Sequence, residues 1–269
     1  MFSIYSSAFN LIKNDFNYKE AIDNFCKFAE EVVIAVNTSE DDTLQVLQNL
    51  SSEYTNLKII STDFDYADPL LDGKIKNEAL QATSQEFKIG LDMDERIPFY
   101  AKYNWINLAS VLRFSESFGL LIPSINLWGD KESIRWDNKE NVKFKWYLHK
   151  EGLYRGAHKE SIKEDGHVDI EKSDTCDLVD KEGNLVKCDH HFDNNVHTLE
   201  DYRTFLNANL IYVFHLGHLD FDKKINLNKN FWKKHWETES GKEVTNVATS
   251  KKDLSKFQTQ KHTLRLWDN

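Results

Sequence analysis

Asp92 and Asp94 stand two residues apart where an apolar run, Glu86 to Leu91, gives way to Asp92-Met93-Asp94-Glu95. On extended backbone that spacing sends both carboxylates off one face and Met93 off the other. Two carboxylates aimed together suit a hard divalent cation, Mg²⁺ or Mn²⁺, which takes a few carboxylate oxygens and fills its remaining positions with phosphate and water. A solvated acidic turn has the same short pattern, so its surroundings have to decide. Glu95 is expected to face solvent.

The elements that must position this pair read as a parallel α/β unit, because short apolar runs alternate with segments of helical period. Strands are predicted at Phe2 to Ser6, Glu31 to Val36, Leu57 to Ile60 and Glu86 to Leu91. The second is almost continuously apolar, as a strand covered on both faces has to be. Between them, Asn17-Tyr18-Lys19-Glu20 has the form of a capping box, and Ile22, Phe25, Cys26 and Ala29 follow on one helical face. Ser39 and Asp42 are expected to cap a helix carrying Leu44, Leu47 and Leu50, and Ile75, Ala79, Leu80 and Ala82 mark a third. Open sheets of this kind take ligands outside the carboxyl ends of their strands, which is where Asp92 and Asp94 fall.

Beyond Pro98 a helix is predicted around Phe99 to Phe118, a strand at Leu120 to Ile125, β-prone pieces near Val142 to Leu148 and an acidic, loop-rich stretch over 160–195. Thr198-Leu199-Glu200-Asp201 has the pattern of another helix start, and Phe221 to Trp236 is basic and aromatic. Three prolines and no Gly/Ser-rich linker leave no sharp boundary. The expected division is a domain over 1–220 with a C-terminal helical extension, 221–269, packed on it as one unit.

With 269 residues, 40% hydrophobic and 29% charged, the chain can bury a core and is neither disordered nor fibrous. Its net charge of −10 argues against nucleic acid as the main partner. Three cysteines, Cys26, Cys176 and Cys188, are too few for a disulfide framework and suit a reducing compartment. No signal-peptide pattern or spanning-length apolar run is present, so the expected location is cytoplasmic, with the inner face of a membrane as the second possibility.

Four blocks in order resemble family 2 glycosyltransferases of the GT-A fold, notably bacterial envelope members: Ser3-Ile4-Tyr5-Ser6-Ser7-Ala8-Phe9-Asn10, Val32 through Thr43, Lys74 through Leu80, and Leu91-Asp92-Met93-Asp94-Glu95. They span about the first hundred residues. Departures from the family pattern are Ser7 for its proline, Asn37 for its first aspartate, Lys76 for its arginine, and Glu78-Ala79 where it has a residue then glycine.

The resemblance implies a GT-A domain, a mostly parallel central sheet flanked by helices, that moves a sugar with inversion from a nucleotide sugar, a UDP-sugar foremost, to a glycan or lipid-linked glycan. Carried over, Ala8, Phe9 and Asn10 line the nucleotide pocket, with Phe9 against the base and Asn37 at its polar edge. Lys76 reaches the diphosphate, and Asp72 and Asp92 approach the nucleotide. Asp94, with Asp92, holds Mn²⁺ or Mg²⁺. Tyr154-Arg155-Gly156-Ala157-His158-Lys159-Glu160 is similar to a family element whose histidine stands near the metal, which makes His158 a third ligand. Tyr212 through Asp220 is similar to a later element and turns His215 toward the site. An inverting transfer needs a base for the acceptor proton. Glu160 is the first candidate and Asp137 the second.

Other readings compete. Cys176, Cys188, His190 and His191 could be taken for Zn²⁺ ligands, at a spacing that matches no usual finger. A silent GT-A-like glycan binder could use Trp105, Trp128, Trp136 and Trp146 as stacking platforms, but would have no need of the acidic strand end. A nucleotidyltransferase would carry a glycine-rich loop after its first strand, and Ser6 to Lys13 contains no glycine. The segment Lys223-Lys224 with Phe231 through Trp236 could dock on an anionic membrane, although packing of its aromatics on the domain is the expected arrangement.

Overall fold

In the computed structural model residues 1–135, 143–173, 175–186, 208, 210–245, 247–262 and 264–267 are described, 143–146 by their backbone. The first strands are β1 (Phe2–Ala8), β2 (Glu31–Asn37), β3 (Leu57–Thr62) and β4 (Phe87–Gly90), alternating with α1 (Tyr18–Phe28), α2 (Thr43–Ser51) and α3 (Leu71–Gln81). Then come β5 (Glu95–Arg96), a 3₁₀ turn Phe99–Ala101, α4 (Lys102–Phe114), β6 (Gly119–Asn126), β7 (Ser133–Arg135), β8 (Lys143–Lys150), β9 (Tyr154–Arg155), β10 (Leu178–Val179) and β11 (Val213–His215).

Eight strands form one sheet in the order β3-β2-β1-β4-β8-β6-β11-β5. The β1, β2, β3 and β4 pairings and β6 with β11 are parallel, whereas β8 runs antiparallel to both β4 and β6. This is the mostly parallel α/β sheet with flanking helices expected from the sequence.

Alternation along β1 and β2 explains the layers. Phe2 and Ile4 on β1 and Val32, Ile34 and Val36 on β2 share one core with Ile22 and Phe25 of α1, Leu47 of α2 and Trp105 of α4. Tyr5, Val33 and Ala35 face the opposite way, onto Leu71, Ile75 and Ala79 of α3. Helices therefore cover both faces, and β2 has to be apolar throughout.

The expected caps are not formed as written. Asn17 precedes α1 without a capping bond, and its Nδ2 donates to Glu20 Oε2 at 2.5 Å. Glu20 is instead taken up by buried Arg96, 3.5 Å away, and by Trp267 Nε1 at 3.1 Å, two long-range partners that outcompete the local box. At α2, Asp41 rather than Asp42 accepts the Thr43 N–H, at 3.0 Å. The helix predicted as far as Phe118 ends at Phe114, where Ser115 turns extended.

The C-terminal part is only partly helical. A continuous helical run comprises α5 (Phe221–Leu227), a π-helical turn Asn228–Trp232 and α6 (Lys233–Ser240). It is followed by α7 (Lys251–Leu254) and a strand, β12 (Thr259–Lys261), paired antiparallel with β7. Trp267 then joins Tyr212 and Phe214 in a buried cluster. Among the described residues no helix is long and apolar enough to cross a membrane.

Candidate active site at the end of the fourth strand

Leu91 and Met93 are buried, while the side chains of Asp92 and Asp94 keep 34% and 22% of their surface exposed. The alternation is thus present, but the chain turns at this point, with Glu95 N–H donating to the Asp92 carbonyl at 2.9 Å. In consequence the carboxylates meet different partners. Asp92 Oδ1 lies 2.9 Å from Lys76 Nζ on α3, and Asp94 Oδ2 lies 3.4 Å from His215 Nε2 on β11.

Glu95 does not face solvent. It is buried, its Oε2 accepts the Asp92 N–H at 2.9 Å, and its Oε1 accepts the Tyr147 hydroxyl at 2.6 Å. Beneath the turn Arg96 donates to the carbonyls of Met93 at 2.9 Å and Glu95 at 2.7 Å. A buried acid, a tyrosine from β8 and a buried guanidinium therefore brace the backbone that carries the two aspartates. Burial holds the Arg96 pKa below its ordinary value, against the pull of Glu20 and Asp94.

On the α3 side, Lys76 also approaches Asp72 Oδ2 at 3.4 Å, one helical turn back. The Cys176 thiol donates to the same oxygen at 2.9 Å. Burial works against the lysine charge, and Asp72 and Asp92 outweigh it, so its pKa lies well above the usual lysine value. The Thr175-Cys176 backbone comes this close because residue 73 is glycine: a Cβ there would stand 1.8 Å from the Thr175 carbonyl oxygen. Arg155 clamps the segment from the other side, donating through Nη1 to the Cys176 carbonyl and through Nε to the Tyr5 hydroxyl. Tyr5 in turn lies 3.0 Å from His149 Nε2, and burial, with the Arg155 charge, holds His149 neutral, its pKa at about 3.

On the β11 side, the antiparallel pairing of His215 with Glu95 brings the imidazole to Asp94. Its Nδ1 is buried with no partner among the described residues. Gly217 passes so near that a Cβ would stand 2.6 Å from Asp94 Oδ2 and 3.0 Å from His215 Nε2. A carboxylate and an imidazole thus converge in space that a side chain at 217 would fill, a donor set that fits Mn²⁺. Among the described residues no three such side chains form a cation cage, and Asp92 lies against Lys76. His218 stacks on Trp128 at 4.3 Å, and burial with the Lys224 charge pushes its pKa down to about 2.

The other residues expected in the site are spread along neighbouring strand ends. Ala8 is buried. Asn10 sits at φ 46°, a left-handed conformation asparagine tolerates, and pins two loops together: its N–H donates to Ser39 Oγ at 3.0 Å and its Oδ1 accepts from Glu40 N–H at 2.8 Å. Asn37 is buried and spends its amide on the end of β3, donating to the Phe64 carbonyl at 3.0 Å and accepting from Phe64 N–H at 2.8 Å and Thr62 Oγ1 at 3.0 Å. Phe9 is half-buried, edge-on to Tyr66 at 6.2 Å and 4.8 Å from Phe231 of the C-terminal helical run. Phe231 in turn stacks on His235 of its own run, so Phe231 is the aromatic of that segment seen to pack on the domain, while Trp236 stays exposed.

His158 is half-buried before the turn that leads into Ser161, and no described contact joins it to Asp92 or Asp94. Glu160 is exposed on that turn. Asp137 and Trp136 lie outside the described residues, as do Cys188, His190 and His191 of the zinc alternative and the predicted helix start at Thr198. Trp105 and Trp128 are core residues, which removes both as exposed sugar platforms.

Sequence reading names Glu95, Arg155 and Cys176 without these roles: Glu95 is expected in solvent, Arg155 lies inside a block singled out for His158, and Cys176 is weighed only as a zinc ligand. Tyr147 carries no local signal and is missed.

No protein-family model matches the chain, and no curated protein does. The chain is similar to several solved structures at low identity. S. aureus TarS 1-349 shares 18% identity at a TM-score of 0.41, over 84% of this chain and 63% of that one. The mannosyltransferase PcManGT from Pyrobaculum calidifontis, in complex with GDP-Man and Mn²⁺, shares 17% at 0.35, over 47% and 35%. Glucosyl-3-phosphoglycerate synthase from Mycobacterium tuberculosis, with Mn²⁺, UDP and glucosyl-3-phosphoglycerate, shares 19% at 0.32, over 48% and 45%. The chain spans less than two thirds of the length of each of these structures. At these identities and scores, function has to be argued from the side chains.

Proposed function

We propose that this chain is a GT-A type glycosyltransferase of the family 2 kind, acting with inversion on a nucleotide sugar and a glycan or lipid-linked glycan acceptor. One observation carries the reading. At the carboxyl end of β4, two aspartates are braced by a buried glutamate and flanked by a lysine on one side and an imidazole on the other. Anionic and cationic groups concentrated at one strand end suit a nucleoside diphosphate with a divalent ion.

Asp94 and His215 would hold Mn²⁺ or Mg²⁺, with Asp92 as the second carboxylate. The contact between Asp94 and His215 supports His215 over His158 as the imidazole. When bound, the cation would neutralise charge developing on the departing diphosphate. Lys76 supplies a second positive charge for that group from α3. Phe9 and Tyr66 offer aromatic surface for the base beside Asn10, and Asn37 supports the loop carrying Tyr66. The UDP-sugar preference and the role of Glu160 or Asp137 as acceptor base belong to the same proposal.

The test is calorimetric titration with UDP, GDP, CDP and dTDP, each with and without Mn²⁺, on the wild type and Asp94→Ala. Mn²⁺-dependent binding of one nucleotide that the variant loses supports the reading. No binding by a folded wild type sinks it and favours a glycan binder without turnover.

A further inference from the structure

Lys76 Nζ sits between two carboxylates, 2.9 Å from Asp92 and 3.4 Å from Asp72, with its side chain only 16% exposed. Asp92 is one of the two acids available to a cation at this strand end, and the lysine already occupies one of its oxygens. We propose that Lys76 is an internal counter-cation that competes with the divalent ion for Asp92, so that the ion binds well only together with the diphosphate, onto which the lysine transfers. This rests on the glycosyltransferase reading.

Three features favour transfer over a fixed ion pair. The Asp92 backbone is fastened by Glu95 and Tyr147, whereas the ammonium rides on a flexible four-carbon stem, so the lysine is the partner able to move. Asp72 keeps a donor when Lys76 leaves, because the Cys176 thiol donates to the same carboxylate oxygen. Asp94, meanwhile, meets the His215 imidazole, itself a group able to ligate a cation, so a divalent ion can start there while Asp92 is still held. An adjacent cation lowers the affinity of a carboxylate for a proton by one to three pKa units, and the same field acts on a metal ion.

The experiment is Mn²⁺ binding to the full chain without nucleotide, read from the free-ion electron paramagnetic resonance signal, alongside calorimetry of UDP with Mn²⁺ present. Lys76→Met should bind Mn²⁺ alone about tenfold or more tightly than wild type while binding UDP about tenfold more weakly. Lys76→Arg, which keeps the charge, should leave the Mn²⁺ affinity near wild type. Asp72→Asn, which leaves the lysine to Asp92, should weaken it. Thermal melts establish that each variant is folded.

If Lys76 merely orders Asp92, Lys76→Met binds Mn²⁺ no more tightly than wild type, and the inference is overturned while the glycosyltransferase reading stands. If the wild type shows no Mn²⁺-dependent nucleotide binding at all, the reading itself fails.

Discussion

Nε2 of His215 lies 3.4 Å from Oδ2 of Asp94, although 121 positions separate the two residues in the chain. The contact exists because β11 pairs antiparallel with β5, the two-residue strand that begins immediately after Asp94. His215→Ala should therefore weaken Mn²⁺-dependent nucleotide binding by at least about tenfold, the scale seen when a metal site loses even an outer partner. His158→Ala should change it little. Calorimetry on both variants decides, and the reverse ranking would return His158 to the metal.

Asn37 makes three hydrogen bonds to the end of β3 from a fully buried position. Asn37→Ala leaves the N–H and carbonyl of Phe64 without these partners, and a buried unsatisfied group costs about 1–3 kcal/mol. A loss of about 2 kcal/mol in urea unfolding is expected, along with weaker nucleotide binding as the loop carrying Tyr66 loosens. Unchanged stability would mean that water replaces the amide and that Asn37 has a free role at the pocket.

The parts legible in the sequence are those fixed by local periodicity. The four parallel strands, their helices and the alternation of buried Met93 with the two open aspartates follow from spacing alone. What escaped was decided at long range. Glu95 turns inward because Tyr147 meets it from β8, across an insertion in the sheet that no local pattern announces. Asn17 and Glu20 do not close their box because Arg96 and Trp267 claim the glutamate. β12 carries Thr259-Gln260-Lys261, with no apolar alternation to mark it, and becomes a strand by pairing with β7. The acid pair could be found; what each acid touches depended on contacts across the sheet.

Phe9 and Phe231 are 4.8 Å apart, and they join the end of β1 to the C-terminal helical run. We propose that 1–220 and 221–269 form one cooperative unit. Aromatic pairs couple by about 0.5–1.5 kcal/mol beyond the area they bury. A double-mutant cycle of Phe9→Leu and Phe231→Leu should give a coupling in that range, with a single unfolding transition by both circular dichroism and tryptophan fluorescence. Zero coupling with two separate transitions would mean an extension that folds independently.

Among the described residues, two histidines kept neutral inside the fold should each make stability depend on pH. His149 is buried against Tyr5 and beside Arg155, with its pKa at about 3, and His218 is stacked on Trp128, with its pKa at about 2. In the unfolded chain both take up a proton near pH 6.5. Between that pH and the folded values the unfolded state binds more protons, so stability is fully present above pH 6.5 and falls as the pH drops, by about 1.4 kcal/mol per pH unit for each group. Glu30, Glu31, Asp41 and Asp68 are held below their ordinary values, so their contributions fade only at lower pH, as acidification passes the usual carboxylate range. In the interval from pH 6 to 5 the two histidines therefore contribute before these carboxylates do, and His262, whose pKa burial also lowers, adds to the same interval. Urea titrations across it should show a slope that drops by about 1.4 kcal/mol per pH unit in His149→Gln, and by a similar amount in His218→Gln. Slopes equal to wild type in both variants would mean that water reaches these imidazoles and lets them charge in the folded protein.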